Sequence, residues 1–247
     1  MGIIIKSPSE IAIMRRAGRI AAAVLEVLVK RIEPGMMTEE LDVIAAEELS
    51  RHGAISSFKG YHGFPANLCV SINDELVHGI PGKRVIQEGD IVSLDVGAFF
   101  QGFHGDAAIT IGMGRISPQA EALLQATEGA LKAGIAAARS GARIGDISAA
   151  IQSYVESRGF SPVREYVGHG IGREMHEDPQ IPNFGLPGQG PLLQEGMALA
   201  LEPMVNAGGW RTKVAEDRWT VTTADGSLSA HFEHTIAITN AEAEILT

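Results

Sequence analysis

The chain has 247 residues, 30 acidic and 20 basic side chains, a formal net charge of −10 and one cysteine. Its 45% hydrophobic and 20% charged residues are typical of a folded globular protein and exclude a disordered or collagen-like chain. One cysteine excludes an internal disulfide and a cysteine-rich zinc module. The acidic balance argues against direct nucleic-acid specificity. Without a signal peptide or a long apolar run, we expect a cytoplasmic protein with no membrane partner.

Four helices are predicted, two near the start of the chain and two after its midpoint. Ser7-Pro8-Ser9-Glu10 is typical of a helix start, because Ser7 can cap the helix and Glu10 can complete a capping box. Pro34-Gly35 ends this helix, and Thr38 can cap a second helix. A third helix is predicted from Ser117-Pro118 to Gly141, and Asp146 can cap a fourth. Short strand-like runs follow each pair of helices.

This order of helix, helix and strands occurs twice. Gln87-Glu88-Gly89 precedes a strand-like run that ends at Asp95, and Gln194-Glu195-Gly196 precedes one that ends at Glu202, 107 positions after Asp95. A common turn motif could repeat by chance, but the two Ser-Pro helix starts have a similar offset of 110 positions. We therefore expect one domain over 1–247, built from half-repeats at about 1–115 and 116–247 that share one sheet with helices on one face.

Two acids of the first half lie within strand-like runs. Asp95 and Asp106 flank Gln101-Gly102, a candidate hairpin turn, and such a hairpin would place the two carboxylates nearly opposite each other. Opposed carboxylates repel, so a cation is expected between them. No lysine or arginine occurs between residues 85 and 114, which favours a metal ion. The alternative is that both acids lie in water at strand ends.

Three residues of the second half extend this set. Glu202 and Glu233 again lie in apolar, strand-like runs, and His169 is flanked by Gly168, Gly170 and Gly172. Such a backbone allows a histidine to approach a ligand closely, although a simple glycine turn is the alternative. Two aspartates, two glutamates and one histidine could share two divalent cations. These donors suit manganese, iron or cobalt, with zinc as an alternative.

In this order and spacing, the five residues resemble the metal ligands of the methionine aminopeptidases. Family-like segments surround them at residues 60–65, 77–82, 168–172, 202–204 and 232–235, so the resemblance covers nearly the whole chain. It implies an α+β, two-layer pita-bread fold, in which helices cover a curved antiparallel sheet and two halves are related by a pseudo-two-fold axis. The chain is most similar to the short bacterial type I form.

The resemblance implies a role for each of the five residues. Asp95 would bind one metal ion, His169 and Glu202 would bind the other, and Asp106 and Glu233 would bridge both. Two cobalt, manganese, iron or zinc ions would activate a water molecule as hydroxide, and Glu202 would accept its proton. A monovalent cation is a further expectation that rests on the resemblance alone.

The resemblance also implies substrate-binding residues. His176 would stabilise the oxyanion, and His78 would contact the scissile peptide. The pocket for the methionine side chain would be lined by Tyr61, Phe64, Cys69 and Trp219. Taken alone, these four could equally be core residues.

Two positions depart from the family pattern. Relatives often have an aromatic residue where this chain has Met175, and glutamine where it has His231. We expect Met175 to loosen the methionine pocket and His231 to alter metal affinity. The remaining histidines are expected to be structural, namely His52, His62, His104 and His234.

The leading interpretation is a monomeric metalloaminopeptidase that removes the initiator methionine from nascent polypeptides. A small second residue is expected, because a bulky one would crowd the metal centre. An enzyme that acts on nascent chains is also expected to contact the ribosome. One alternative is a proline dipeptidase or aminopeptidase P, which use a similar metal fold but usually carry an additional N-terminal domain. The other is a non-enzymatic binding protein on the same fold, although such relatives tend to lose metal ligands.

Overall fold

The computed structural model describes residues 2–247. In that range it contains four α-helices, which are α1 (Pro8–Arg31), α2 (Thr38–Arg51), α3 (Pro118–Ala137) and α4 (Ile144–Glu156). The predicted start of α1 is confirmed, because Ser7 Oγ accepts a hydrogen bond from the Glu10 amide at 3.3 Å and Glu10 Oε2 accepts one from the Ser7 amide at 2.9 Å. None of the four helices combines the length and the apolar content that crossing a lipid bilayer requires.

Three predicted helix boundaries are wrong. Thr38 is the first residue of α2 rather than its cap, and Asp146 lies within the first turn of α4. In both helices the chain turns one to three residues earlier than predicted, because an acid in the first turn accepts a hydrogen bond from the preceding backbone. The Asp146 carboxylate accepts one from the Arg143 amide at 2.7 Å. Helix α3 ends at Ala137, before the left-handed Gly141.

The strands form one large and two small antiparallel sheets. The large sheet has the order β1 (Ile55–Ser56), β4 (Ile91–Phe100), β5 (Phe103–Gly112), β14 (Glu233–Ala237), β9 (Ala198–Leu201), β7 (Gly168–Gly170) and β8 (Glu177–Ile181), with β2 (Cys69–Ile72) paired to β4 and β15 (Glu244–Ile245) to β14. The small sheets are β13 (Ser229–His231), β10 (Met204–Asn206) and β6 (Ser161–Pro162), and β11 (Thr212–Val214), β12 (Val221–Thr223) and β3 (Glu75–Val77).

The predicted hairpin joins β4 to β5. Gln101 and Gly102 have φ angles of 50° and 85°, and two successive positive φ angles are typical of the tight turns that match the twist of a hairpin. Asp95 pairs with Ala108, whereas Asp106 pairs with Gly97. The two aspartates are therefore on the same face but two positions apart along the ladder, rather than directly opposite.

The helices cover one face of the large sheet. Leu94 and Val96 pack in a core with α1 and α2, so the intervening Asp95 points to the other face. Helices α3 and α4 pack in a second core with β9 and β14. Leu25 of α1 and Leu131 of α3 line one groove over β5 and β14, which places both helix pairs on the same side. The acid-bearing face is left free of helices.

Local contacts of the first half recur in the second. Met37 forms an isolated bridge with Val85 before α2, and Arg143 forms one with Leu192 before α4. The turns before β4 and β9 contain left-handed glycines with φ angles of 91° and 87°. These recurrences support the expected half-repeats, whose boundary near residue 115 stays a prediction.

Helix α1 lies directly on β5 because two glycines meet there. A methyl group added at Gly105 would be 2.5 Å from the Gly18 nitrogen of α1, too close for any real contact. This close approach fixes the strand that carries Asp106 against the helix layer.

We expect Gly105→Ala to lower the free energy of unfolding by about 1–3 kcal/mol, because overpacking exceeds the ~0.4–1 kcal/mol gained from a less flexible unfolded chain. Urea denaturation followed by circular dichroism measures the change. Gly82→Ala is the matched control, since the nearest atom to its added methyl group is 4.0 Å away. Equal stability of Gly105→Ala and the wild type would show that α1 can move away from β5.

Candidate metal centre

A cavity of about 430 Å³ contains every site residue selected from the sequence. Its wall is formed by Phe58, Tyr61, His62, Phe64, Cys69, His78, Asp95, Asp106, His169, Met175, His176, Glu202, Trp219 and Glu233. Side chains from residues 58–78, 95–106, 169–176 and 202–233 therefore meet in one place. The structure shows this proximity, while the role of each residue stays a prediction.

Five neighbouring strands of the large sheet supply the five candidate metal ligands, one each. Asp95 is in β4, Asp106 in β5, His169 in β7 and Glu233 at the start of β14, while Glu202 directly follows β9. Strand pairing aligns them, because Asp95 and Glu233 both have Ala108 as their partner on β5. The sheet thus sets the spacing of the donors across its open face.

Three of the four carboxyl groups are buried, and the fourth, Glu202, lies beside them with its side chain 14% exposed. Asp95, Asp106 and Glu233 are 8%, 3% and 2% exposed, which excludes the alternative of strand ends in water. Burial raises the pKa of Asp106 to about 7, and burial together with the neighbouring carboxylates raises the pKa of Asp95, Glu202 and Glu233 well above their usual range. Within residues 2–247, no lysine or arginine forms an ion pair with any of the four.

These residues fit a divalent cation. One oxygen each of Asp95, Asp106 and Glu233 is buried without a hydrogen-bond partner, so each can accept a further ligand. Ligand atoms of Asp106, His169 and Glu233 all lie within 4.8 Å of one another. The all-oxygen-and-nitrogen donor set suits manganese, iron, cobalt or zinc.

The histidine in this set is oriented for ligation. His169 Nδ1 lies 2.9 Å from the Gly170 carbonyl oxygen, which accepts the Nδ1 proton. Burial lowers the pKa of His169 to about 3, so the ring is neutral at pH 7. Its Nε2 lone pair therefore remains free, 3.5 Å from Glu202 Oε1. A backbone partner on the far nitrogen is the usual device that fixes a metal-binding imidazole.

Two further histidines, His78 and His176, line the cavity together with the candidate metal ligands. His176 Nδ1 is 2.8 Å from Tyr61 Oη, and its ring centroid is 4.2 Å from that of His169. His78 adopts a left-handed backbone with a φ angle of 60°, a conformation that bulky residues rarely adopt outside functional sites. Burial lowers the pKa of both imidazoles, to about 4 for His78, so both are neutral at pH 7.

The other end of the cavity is apolar. Phe64 and Trp219 meet edge to face with their ring centroids 5.2 Å apart. They belong to one cluster of side chains, Phe58, Tyr61, Phe64, Ala66, Cys69, Ile80, Met175 and Trp219. Burial raises the pKa of the Cys69 thiol well above its usual range, so the sulfur is an uncharged, polarisable surface.

Sequence reasoning missed two residues of the cavity wall, Phe58 and His62. Phe58 carries no polar signal, and nothing in the sequence distinguishes it from a core aromatic. His62 was expected to be structural, but it packs on Tyr61 with centroids 4.3 Å apart at the cavity wall. Met175, which was expected to affect the methionine pocket, is buried in the apolar cluster.

The other histidines lie outside the cavity. His104 Nδ1 is 2.8 Å from Ser57 Oγ, and His234 Nδ1 is 2.8 Å from Thr247 Oγ1, as expected of structural residues. His231 is buried next to Glu202 and Glu233 and is not among the residues of the cavity wall.

Comparison with known proteins places the chain among metallopeptidases. The profile of metallopeptidase family M24 matches residues 12–240. Methionine aminopeptidase 1 of Bacillus subtilis is 56% identical over 245 residues, which cover 99% of both chains. The crystal structure of a Thermotoga maritima methionine aminopeptidase superposes with a TM-score of 0.98 at 50% identity, covering 100% of this chain and 99% of that one.

A more distant structure confirms the predicted pita-bread fold. The prolidase from Pyrococcus furiosus superposes with a TM-score of 0.81 at 23% identity, and covers 99% of this chain and 65% of that one. At this identity the likeness shows the shared fold alone. The family profile, by contrast, spans most of the chain, and close relatives align over their whole length. The chain therefore belongs to metallopeptidase family M24.

Proposed function

We propose that the chain is a metal-dependent methionine aminopeptidase, which removes the N-terminal methionine from nascent polypeptides whose second residue is small. One observation carries the proposal, namely a single cavity that joins four carboxyl groups, three of them buried, to an apolar end. The relatives from Bacillus subtilis and Thermotoga maritima that bear this name support it. Since its substrates would be nascent chains, we place the enzyme in the cytoplasm, acting as a monomer near the ribosome.

Asp95, Asp106, His169, Glu202 and Glu233 would hold two divalent cations. The support is electrostatic, because buried carboxylates without a cationic partner are strongly destabilised. Divalent cations in such a site supply Lewis acidity, which makes water more nucleophilic and polarises a carbonyl group.

The apolar end of the cavity would bind the methionine side chain. Tyr61, Phe64 and Trp219 offer aromatic surfaces, and Cys69 and Met175 offer sulfur atoms, which suit an unbranched thioether. A substrate anchored there would have its free amino terminus at the carboxylate end near Asp95. This arrangement would limit cleavage to the first peptide bond.

Two groups of the chain would handle proton and charge. Glu202, whose pKa burial raises, would accept the proton of the attacking water. If the His176 Nδ1 accepts the Tyr61 hydroxyl proton, a neutral His176 carries its own proton on Nε2. That N–H would stabilise the oxyanion of the tetrahedral intermediate, while His78 would contact the scissile peptide.

The proposed activity is tested with Met-Gly, Met-Lys and Ala-Pro peptides, before and after dialysis against EDTA. We expect rapid release of methionine from Met-Gly peptides, little from Met-Lys peptides, and recovery of activity when manganese, iron, cobalt or zinc is returned. Hydrolysis of X-Pro peptides alone would instead favour a prolidase. Methionine release that persists after complete metal removal would exclude the metal mechanism.

Asp106→Asn and Glu233→Gln should reduce methionine release to the background of the assay, because each would remove a ligand shared by both cations. Circular dichroism should show folded proteins, since each change is isosteric and also removes a buried charge. The control is Glu121→Gln, an exposed acid of α3, which should retain activity. Activity in the Asp106 variant would contradict a bridging role.

His176→Ala should lower kcat by about 10²–10³-fold, the usual effect of losing one oxyanion donor. The change in KM should be smaller, because the interaction strengthens in the transition state. Steady-state kinetics on a Met-Gly peptide measure both constants, with the exposed His52→Ala as control. An unchanged kcat would refute the assignment of His176.

A further inference from the structure

His231 is a buried imidazole whose nitrogens have no hydrogen-bond partner. It is 2% exposed, and within residues 2–247 neither Nδ1 nor Nε2 makes a hydrogen bond. Buried polar atoms without partners are uncommon, because desolvation is not compensated, and a native example calls for an explanation.

The backbone of His231 is held firmly. Its amide donates to Thr110 Oγ1 at 2.9 Å, and its carbonyl oxygen accepts from the same hydroxyl at 2.7 Å. On its other side, His231 pairs in register with Met204 of β10. The backbone position of His231 is therefore set by two neighbouring strands. It does not depend on a hydrogen bond to either ring nitrogen.

The ring faces Glu202. His231 Nε2 lies 3.6 Å from Glu202 Oε2 and 3.9 Å from Glu233 Oε2. The other Glu202 oxygen, Oε1, faces His169 Nε2 at 3.5 Å. The Glu202 carboxylate thus lies between two imidazoles, one at each oxygen.

The two imidazoles are on different sides of Glu202. His169 lines the cavity, whereas His231 is absent from the cavity wall. This difference favours contact of His231 with the Glu202 carboxylate over direct contact with a cation in the cavity.

We propose that His231 is a positioning residue, whose Nε2–H donates to Glu202 Oε2 and holds Glu202 Oε1 on the cation side. The proposal rests on the proposed function, because it takes Glu202 as a cation ligand. The separation of 3.6 Å between His231 Nε2 and Glu202 Oε2 is slightly longer than a hydrogen bond. Hydrogen bonds in active sites are often long in the apoprotein and tighten when the site is occupied. Partners of metal ligands typically change cation affinity by about 10–100-fold.

The test compares variants with and without a donor at this position. His231→Leu removes the donor and fills the space, whereas His231→Gln keeps a terminal N–H. Isothermal titration of Mn²⁺ into each apoprotein, without any peptide, should show about 10–100-fold weaker binding for His231→Leu. His231→Gln should stay within about three-fold of the wild type, since it can still donate. The visible spectrum of the Co²⁺-loaded proteins should change in the Leu variant only.

His234→Leu is the matched control, because His234 is bonded to Thr247 and lies outside the cavity wall. It should bind Mn²⁺ as the wild type does. Circular dichroism verifies that each apoprotein is folded. If His231→Leu is unfolded, His231→Met, which also lacks a donor, takes its place against His231→Gln.

Wild-type affinity in the folded Leu or Met variant would overturn the proposal, as would an equal loss in His231→Gln. The outcome is separable from the proposed function. Failure of the wild type to cleave Met-Gly peptides, with the affinity pattern intact, would refute the activity alone. Cleavage by a wild type whose cation affinity does not depend on His231 would refute the positioning role alone.

Discussion

Mutual repulsion of four neighbouring carboxyl groups, three of them buried, is the constraint on which the rest of this structure depends. Burial raises the pKa of all four, and nearby carboxylates raise it further for Asp95, Glu202 and Glu233. Within residues 2–247, no lysine or arginine forms an ion pair that would balance their charge. Burial of unpaired charge is among the most costly features a folded protein can contain. A chain that retains it needs both a cation and a scaffold that prevents the carboxylates from separating.

The scaffold resists separation through its backbone. Thr235 on β14 accepts a hydrogen bond from the Asp106 amide at 2.9 Å and donates to the Asp106 carbonyl oxygen at 2.8 Å. Thr110 does the same for His231. Two buried hydroxyls thus bind β5 to its neighbours beside the acids, while Gly18 and Gly105 hold the helix layer against the same strand. The positions of the carboxylates are consequently set by main-chain contacts that their own repulsion does not weaken.

Much of this arrangement could be predicted from the sequence, because its signals are local. The turn at Gln101-Gly102 and the acids in apolar runs identify the hairpin and the ligand candidates without reference to the rest of the chain. A two-residue turn at Gln101-Gly102 pairs Phe100 with Phe103, and counting outward from this pair places Asp95 opposite Ala108 and Asp106 opposite Gly97. The expectation that the two aspartates are nearly opposite each other was therefore wrong by two positions, although the turn itself contains the correct register. Phe58 was missed as a site residue because an apolar side chain in a pocket has the same sequence signal as one in a core.

The polar and apolar ends of the cavity are not independent, since one strand pair serves both. Cys69 on β2 lies opposite Asp95 on β4 in the sheet register, yet its side chain belongs to the apolar cluster with Phe64. Burial and the neighbouring carboxylates raise the pKa of the Cys69 thiol well above its usual range, so it forms an uncharged part of the apolar cluster beside the acids. A displacement of Asp95 would therefore move a wall of the apolar cluster, and a shift of that wall would in turn move the carboxylate end. Under the proposed function, binding of the first side chain and placement of its peptide bond would then both depend on the register of β2 and β4.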